Sequence, residues 1–216
     1  MTPGETTIGD MTIGDMTIDA RSSLDATIRR RRMTRRFDSS PIDLAQVDEL
    51  VDLARRAPSA GYSQGVHFLV LSGAAAASFW TITGSDDWFD DDTRAAPVLV
   101  LPLADPVAYT SRYSEGDKAG HGLEDAANWE VPFWLTDAAM ATQNLLLLAE
   151  DRGLGALYFG IFRNARVLLD ELGVPAHVLQ VGAVALGHRA VDDQQSGSAR
   201  TRPRRATADV VHHQRW

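Results

Sequence analysis

The feature that most constrains the fold is a long apolar segment at residues 136–151. Leucines, alanines and a methionine occupy most of its helical positions, so no clearly polar face remains. A helix of this kind has to be covered on most of its sides. Gly153 follows where a left-handed residue commonly ends a helix. We therefore predict a buried central helix around which the other elements pack.

The remaining patterns indicate one domain of mixed helices and strands. The chain has 216 residues, 44% of them hydrophobic, which is enough for a single sizeable core. Apolar residues at helical spacing predict helices at residues 23–33, 74–80 and 164–172, and one from Asp43 to a stop before Pro58. Apolar runs predict strands at residues 67–72, 97–103, 155–162 and 178–186. Asp43 and Asn164 stand where N-cap side chains are expected.

The two ends of the chain differ in character from this domain. Residues 1–20 repeat a short motif of Met, Thr, Ile, Gly and Asp, and we interpret them as a disordered leader. Translation could begin at Met1, Met11 or Met16, and the sequence leaves this choice open. We predict that residues 21–196 form the domain and that residues 197–216 form a hydrophilic C-terminal arm.

A cluster of arginines precedes the second predicted helix. Six lie within eight positions: Arg29, Arg30, Arg31, Arg32, Arg35 and Arg36. They lead directly into Phe37 and a turn, so we expect the fold to fix some of them. Guanidinium groups pair bidentately with phosphate or carboxylate. A second cluster lies near the C-terminus, at Arg200, Arg202, Arg204 and Arg205. Two such clusters predict a site for a phosphorylated ligand.

Charge and composition disfavour several other classes of function. The net charge of −8 and the sequence pI of about 5.2 disfavour a nucleic-acid partner, although a basic-patch nucleic-acid module or a solvated helix face remains an alternative. The chain has no cysteine, no apolar run of membrane-spanning length and no secretory signal, so we expect a cytoplasmic protein without a membrane partner. The acidic residues 86–92 lack the glycine and terminal glutamate of a calcium loop, so we expect no metal.

Four segments, in this order and spacing, resemble the FMN-dependent nitroreductase family, and the likeness covers residues 24–216. They are residues 31–37, 57–64, 153–160 and 202–211. The resemblance implies an α+β fold with a central, mostly antiparallel sheet flanked by helices. It also implies a homodimer in which the C-terminal arm of each subunit is exchanged and completes the partner's FMN site.

The resemblance further implies which residues bind FMN. The phosphate and ribityl chain would be held by Arg31, Arg32, Met33, Arg202 and Arg204. Arg35 would lie beside the pyrimidine ring, where its charge tunes the flavin. The remaining contacts would come from Pro58, Ser59, Ala60, Gly61, Gln64, Phe159 and Gly160. This sequence has Met33 where the family often has serine and Tyr62 where it often has asparagine, so we expect Met33 to contribute only its backbone.

The resemblance implies an oxidoreductase that uses NAD(P)H, either NADH or NADPH, to reduce small electrophiles such as nitroaromatics or quinones. Hydride would pass through the flavin by a ping-pong reaction, and no side chain is assigned as a catalytic acid or base. The physiological acceptor stays open, as does the choice between reduction, dehalogenation and desaturation. A flavin or deazaflavin carrier without turnover is the alternative.

Residues 104–133 are polar and irregular, and we interpret them as a lid over the site. Within this lid, Tyr113, Lys118 and Trp129 combine two aromatic rings with the only lysine of the chain. We interpret the three as a clamp for a planar anionic acceptor. The alternative is that Lys118 is a solvated surface charge.

Overall fold

A computed structural model describes residues 23–195 and 197–216, and the predicted leader lies outside these ranges. The helices are α1 (Leu24–Arg30), α2 (Leu44–Ala54), α3 (Gly73–Thr83), α4 (Asp91–Arg94), α5 (Pro106–Tyr113), α6 (Phe133–Asp151), α7 (Ala165–Glu171) and α8 (Gly197–Thr201). The strands are β1 (Phe37–Asp38), β2 (Val66–Ser72), β3 (Val98–Ala104), β4 (Gly155–Phe159), β5 (Leu179–Gln180) and β6 (Ala183–Arg189).

The strands form one sheet in which all strand pairs within the described residues are antiparallel, which confirms the predicted mostly antiparallel sheet. β6 pairs with β3, with β4 and, through Arg189, with Phe37 of β1. β2 lies on the other side of β3, and β5 pairs with the end of β3. Because β6 pairs with both β1 and β4, it brings the segment that carries the arginines next to β4.

Helices cover both faces of this sheet, and the apolar side chains of β3 pack against them on each face. Leu99, Leu101 and Leu103 belong to a core cluster with side chains of α3 and α7. Val98 and Val100 point to the opposite face and belong to a second cluster with side chains of α2 and α6. The strand predicted at residues 97–103 is confirmed, and because all seven residues of β3 are buried it is a central strand of the sheet.

Helix α6 ends where the apolar segment predicted, and Gly153 has the expected left-handed φ of 74°. The single chain covers most sides of this helix and leaves one stripe exposed, so the prediction of burial on most sides is confirmed apart from that stripe. Leu145 and Ala149 are fully buried, whereas Phe133 and Met140 remain 42% and 40% exposed. None of the helices in the described ranges is both long and apolar enough to cross a bilayer.

Three predicted boundaries were wrong for local reasons. α1 stops at Arg30 instead of residue 33 because Arg31 leaves the helical conformation, with ψ of 126°. β4 stops at Phe159 instead of residue 162. The strand predicted at residues 178–186 is interrupted after Gln180, so β5 and β6 pair with different parts of β3.

Two further predictions need correction. The segment 104–133 is not wholly irregular, because Asp105 caps α5 by accepting a hydrogen bond from the Val107 N–H at 2.8 Å. Asn164 occupies the N-cap position of α7 with φ of 52°, but its side chain makes no capping bond. Its amide instead donates to the carbonyl of Ile82 at 2.8 Å and so ties α7 to α3.

Candidate functional site

The arginine turn, residues 31–36, leaves α1 and runs along β4. The Thr34 N–H donates to the Ala156 carbonyl at 2.9 Å, and Met33 forms a parallel bridge with Ala156. Gly155 permits this approach, because a Cβ there would lie 2.7 Å from the Thr34 hydroxyl. The Met33 thioether packs against both core clusters. The side chain of Met33 is therefore used in the core, and a contact of its backbone with a ligand stays a prediction.

Most arginines of the cluster are paired with carboxylates of the same chain. The pairs are Arg29 with Asp25, Arg30 with Glu150, Arg32 with Asp193, and Arg36 with Asp92 and Asp192. The side chains of Glu150 and Asp193 are 2% and 0% exposed, so these carboxylates require charged partners. The expectation that the fold fixes some guanidinium groups is confirmed. Arg32, a predicted FMN ligand, already has a partner within its chain.

Among the described residues, Arg31 and Arg35 have no carboxylate partner. The Nη1 of Arg31 is buried and makes no hydrogen bond, a state that is costly until a ligand accepts from it. Arg35 has an exposed side chain, while its carbonyl accepts a bond from the Thr93 hydroxyl at 2.6 Å. The arginine turn therefore presents two available cations on a fixed backbone.

The Pro58 loop, residues 58–64, has an unusual backbone. Gly61, Tyr62 and Gln64 have φ values of 58°, 59° and 54°, a region that non-glycine residues seldom adopt. The loop is held by bonds from the Gln64 N–H to the Ser59 hydroxyl at 2.8 Å and from the Ser63 hydroxyl to the Ala60 carbonyl at 2.7 Å. Retained backbone strain of this kind is common at ligand sites.

A buried carboxylate anchors this loop to α6. Asp137 is 1% exposed, and its Oδ2 accepts from the Ala60 N–H at 2.8 Å and from the Tyr109 hydroxyl at 2.7 Å. Burial, and then the bond to Asp137, raise the pKa of Tyr109 well above its ordinary value of 10.0. Tyr109 therefore stays a hydrogen-bond donor over the physiological range.

Predicted FMN contacts line two separate cavities. One has a volume of about 400 Å³ and is lined by Arg55, Arg56, Pro58, Ser59, Tyr62 and Gln64, among others. The other has a volume of about 230 Å³ and is lined by Trp88, Phe89, Phe159, Gly160, Phe162 and Arg163, among others. Gly160 lies tight against the Phe162 ring, since an added Cβ would come within 2.7 Å. Neither cavity is lined by Arg31 or Arg35, so one subunit does not join the predicted contacts into a single pocket.

The C-terminal arm, residues 197–216, is exposed along its whole length. Arg202 and Arg204, the second pair of predicted phosphate ligands, are among these exposed residues. The arm also exposes Val210, Val211 and Trp216, the last at 99%.

The lid contacts the Pro58 loop at Gly61. Arg112 donates from Nε to the Gly61 carbonyl at 2.9 Å and forms two bonds of 2.6 and 2.7 Å to the Asp117 carboxylate. The hydrogen bond from Arg112 lowers the pKa of Asp117 to about 2. The Tyr113 ring covers Gly61, where an added Cβ would lie 2.7 Å from Cε2. The lid and the loop are thus linked directly, by a hydrogen bond and a close packing contact.

The structure brings the three predicted clamp residues together. Lys118 Nζ lies 5.9 Å from the centre of the Tyr113 ring, and Trp129 meets that ring edge-on at 4.9 Å. The Trp129 indole N–H donates to the Leu123 carbonyl at 2.8 Å. The three side chains are half-buried and form a cluster within the lid.

Sequence reasoning missed the residues that organise the site. Asp193 and Glu150 fix the arginines, Asp137 fixes the Pro58 loop, and Arg112 fixes the lid. A signal existed for Asp137 and Glu150, because each is a carboxylate in an otherwise apolar helix. No comparable signal marks Asp193, which lies in an irregular polar segment.

Comparisons with known proteins agree with this geometry. Residues 28–188 match the family model described as the nitroreductase family, a range that includes the arginine turn, the Pro58 loop and β4. An FMN reductase (NADPH) of Bacillus subtilis is 28% identical over 166 residues, which span 76% of this chain and 65% of that protein. NfrA2 of B. megaterium superposes with a TM-score of 0.71 at 22% identity, covering 89% of this chain and 74% of that one. A nitroreductase-like protein of Desulfovibrio desulfuricans, solved in complex with FMN, gives a TM-score of 0.67 at 24% identity, covering 89% and 97%.

Proposed function

The chain belongs to the nitroreductase family, and on this premise we propose that it is an FMN-dependent oxidoreductase that draws electrons from NAD(P)H. Its acceptors would be small electrophiles such as nitroaromatics or quinones, reduced by a ping-pong reaction in which NAD(P)H and acceptor use one site in turn. The name of the B. subtilis relative and the FMN bound in the D. desulfuricans structure support the choice of cofactor.

The observation that carries the proposal is the arginine turn. A phosphate monoester has a charge near −2 at neutral pH and accepts several hydrogen bonds. The buried, unpartnered Nη1 of Arg31 is a donor prepared for such a group. Charge-assisted bonds of this type contribute about 1.5–3 kcal/mol each. Arg202 and Arg204 of the arm would supply further donors to the same phosphate.

Arg35 and the glycine-containing contacts would position the flavin ring. FMN would supply a two-electron carrier whose pyrimidine side becomes more negative when it is reduced. The exposed guanidinium of Arg35 would stabilise that charge. Pro58, Ser59, Ala60, Gly61 and Gln64 would contact the ring edge, and the backbone at Phe159 and Gly160 would lie against the ring.

A homodimer would join these contacts, which the single chain keeps in separate cavities. The uncovered side of α6, with Phe133 and Met140, would be buried against the partner. The C-terminal arm would extend onto the partner and complete its site. In this arrangement residues 21–196 form the FMN-binding domain, residues 197–216 serve the partner, and residues 1–20 are dispensable.

Two arginines of the same cluster test the cofactor assignment. Arg31→Ala should weaken FMN binding about tenfold or more, because the phosphate loses a charged donor. Arg29→Ala is the matched control, since Arg29 pairs with Asp25 on an exposed helix and is 79% exposed. FMN affinity can be measured by quenching of flavin fluorescence, and turnover by NAD(P)H oxidation with a quinone.

The outcomes separate the alternatives. Equal FMN affinity in both variants and the parent would contradict the role of Arg31. A yellow protein that does not oxidise NAD(P)H with any acceptor would support the carrier without turnover. A protein that takes up no flavin but binds DNA with steep salt dependence would support the nucleic-acid module.

A further inference from the structure

Asp193 is a buried carboxylate that makes no predicted contact with the cofactor. Its side chain is 0% exposed. Oδ1 accepts from the backbone N–H groups of Arg35 and Arg36, both at 3.0 Å, and Oδ2 pairs with Nη1 of Arg32. Nη2 of Arg32 donates to the Asp193 carbonyl at 2.9 Å. One residue therefore binds three residues of the arginine turn, Arg32, Arg35 and Arg36.

Neighbouring bonds fix Asp193 itself. Its N–H donates to the Ala190 carbonyl at 3.0 Å, and the Ala190 N–H donates to the Arg36 carbonyl at 3.0 Å. The segment 190–193 continues directly from β6, so the sheet sets the position of the carboxylate. The arginine turn is thus held on a rigid support at one end and by α1 at the other, where the Arg31 N–H donates to the Thr27 carbonyl at 2.9 Å.

We propose that Asp193 is a positioning residue for the cofactor phosphate, an inference that rests on the proposed function. By engaging the guanidinium of Arg32, it fixes the residue that directly follows Arg31 in the turn. By accepting from the backbone N–H groups of Arg35 and Arg36, it fixes the direction in which Arg35 leaves the turn. Protein side chains that are already held in position bind a ligand more tightly, because they lose less conformational freedom when the ligand binds.

If Asp193 acted only through its negative charge, its removal would change FMN affinity in the opposite direction. A carboxylate near a phosphate repels it, so its loss should tighten FMN binding if Asp193 acts only through its charge. Loss of positioning should weaken binding. Asp192 provides a matched control, because it lies one residue away, pairs with Arg36 at 3.1 Å and is 61% exposed. Asp192→Asn removes the same charge without touching the backbone bonds of the turn.

The experiment compares FMN with riboflavin, which lacks the phosphate. Both affinities are measured by quenching of flavin fluorescence for the full-length parent, Asp193→Asn, Asp193→Glu and Asp192→Asn. The preference of the parent for FMN over riboflavin should fall about tenfold or more in Asp193→Asn. It should fall in Asp193→Glu as well, where the charge is kept but the longer side chain displaces the turn. It should stay the same or rise in Asp192→Asn.

Several results would overturn the inference. The preference for FMN could be kept or increased in Asp193→Asn, or FMN and riboflavin could be weakened equally, which would assign Asp193 to general fold stability. Far-UV circular dichroism checks that each variant is folded, and Asp193→Glu decides the question if Asp193→Asn does not fold. A parent protein that binds neither flavin would instead refute the proposed function.

Discussion

The hydrogen bonds of Asp137 allow a quantitative test of how the Pro58 loop is held. Asp137→Ala removes the acceptor from two donors, the Ala60 N–H at 2.8 Å and the Tyr109 hydroxyl at 2.7 Å. A buried donor left unpaired costs about 1–3 kcal/mol. We therefore expect the free energy of unfolding to fall by about 2–6 kcal/mol.

Tyr109→Phe separates the two bonds. It removes one donor to the carboxylate and leaves the Ala60 bond intact, so the expected loss is about 1.5–3 kcal/mol. Because both changes remove the same Tyr109 bond, the double variant should lose less than the two single losses together, by about 0.5–3 kcal/mol. Burial and the Asp137 bond raise the pKa of Tyr109 above 10.0. The stability that depends on the protonated Tyr109 hydroxyl is therefore fully present below pH 10.0 and is lost as the pH rises through the raised pKa.

Urea unfolding followed by circular dichroism measures these differences. The protein concentration must be held constant, since a dimer's stability depends on it. Asp151→Ala serves as the control, because the bond that this exposed carboxylate at the end of α6 accepts from the Thr27 hydroxyl is long, at 3.5 Å. A loss below about 0.5 kcal/mol for Asp137→Ala, the range of surface substitutions, would refute the argument.

Three further predictions concern the lid and the arm. Lys118→Ala should raise KM for an anionic nitroaromatic about two- to fivefold and leave KM for a neutral one unchanged, as expected for one cation; equal KM values in variant and parent for both acceptors would make Lys118 a surface charge. Arg112 lowers the pKa of Asp117 from 3.8 to about 2, so the ion pair between them should persist above pH 3.8 and be lost as the pH falls toward 2. Cleavage of the lid by an acid protease should therefore increase only between these two pH values. Removing residues 197–216 should weaken both dimerisation and FMN binding, measured by sedimentation and fluorescence, whereas removing residues 1–20 should change neither; a truncated arm variant that stays dimeric and fully loaded would contradict the arm's role.

Helices and strands could be predicted from the sequence where a local run of apolar residues marks them as buried. The apolar run at residues 97–103 was predicted as a strand, and the observed strand Val98–Ala104 is covered on both faces. Helix α6 read as a helix for the same reason, with Gly153 marking its end. Its uncovered face could not be recognised, because the sequence does not state whether a neighbouring element or a second subunit covers it.

The candidate site was predictable by residue type and not by arrangement. Arginines in a run identify an anion site, but the run does not say which guanidinium stays available. That depends on two carboxylates far along the chain: Asp193, which follows β6 and pairs with Arg32 of the turn, and Glu150 of α6, which pairs with Arg30 of α1. Similarly, Tyr113 and Lys118 were expected at a lid, while the contact of Tyr113 with Gly61 depends on how α5 packs on the Pro58 loop.

The central claim is that this chain holds FMN and passes electrons from NAD(P)H through it. The most direct measurement is the visible absorption spectrum of the purified full-length protein, recorded without oxygen before and after addition of NADPH or NADH. The account predicts a yellow protein with one FMN per chain whose flavin band is bleached by one of the nucleotides and restored by a quinone. A colourless protein that takes up no added FMN would contradict it.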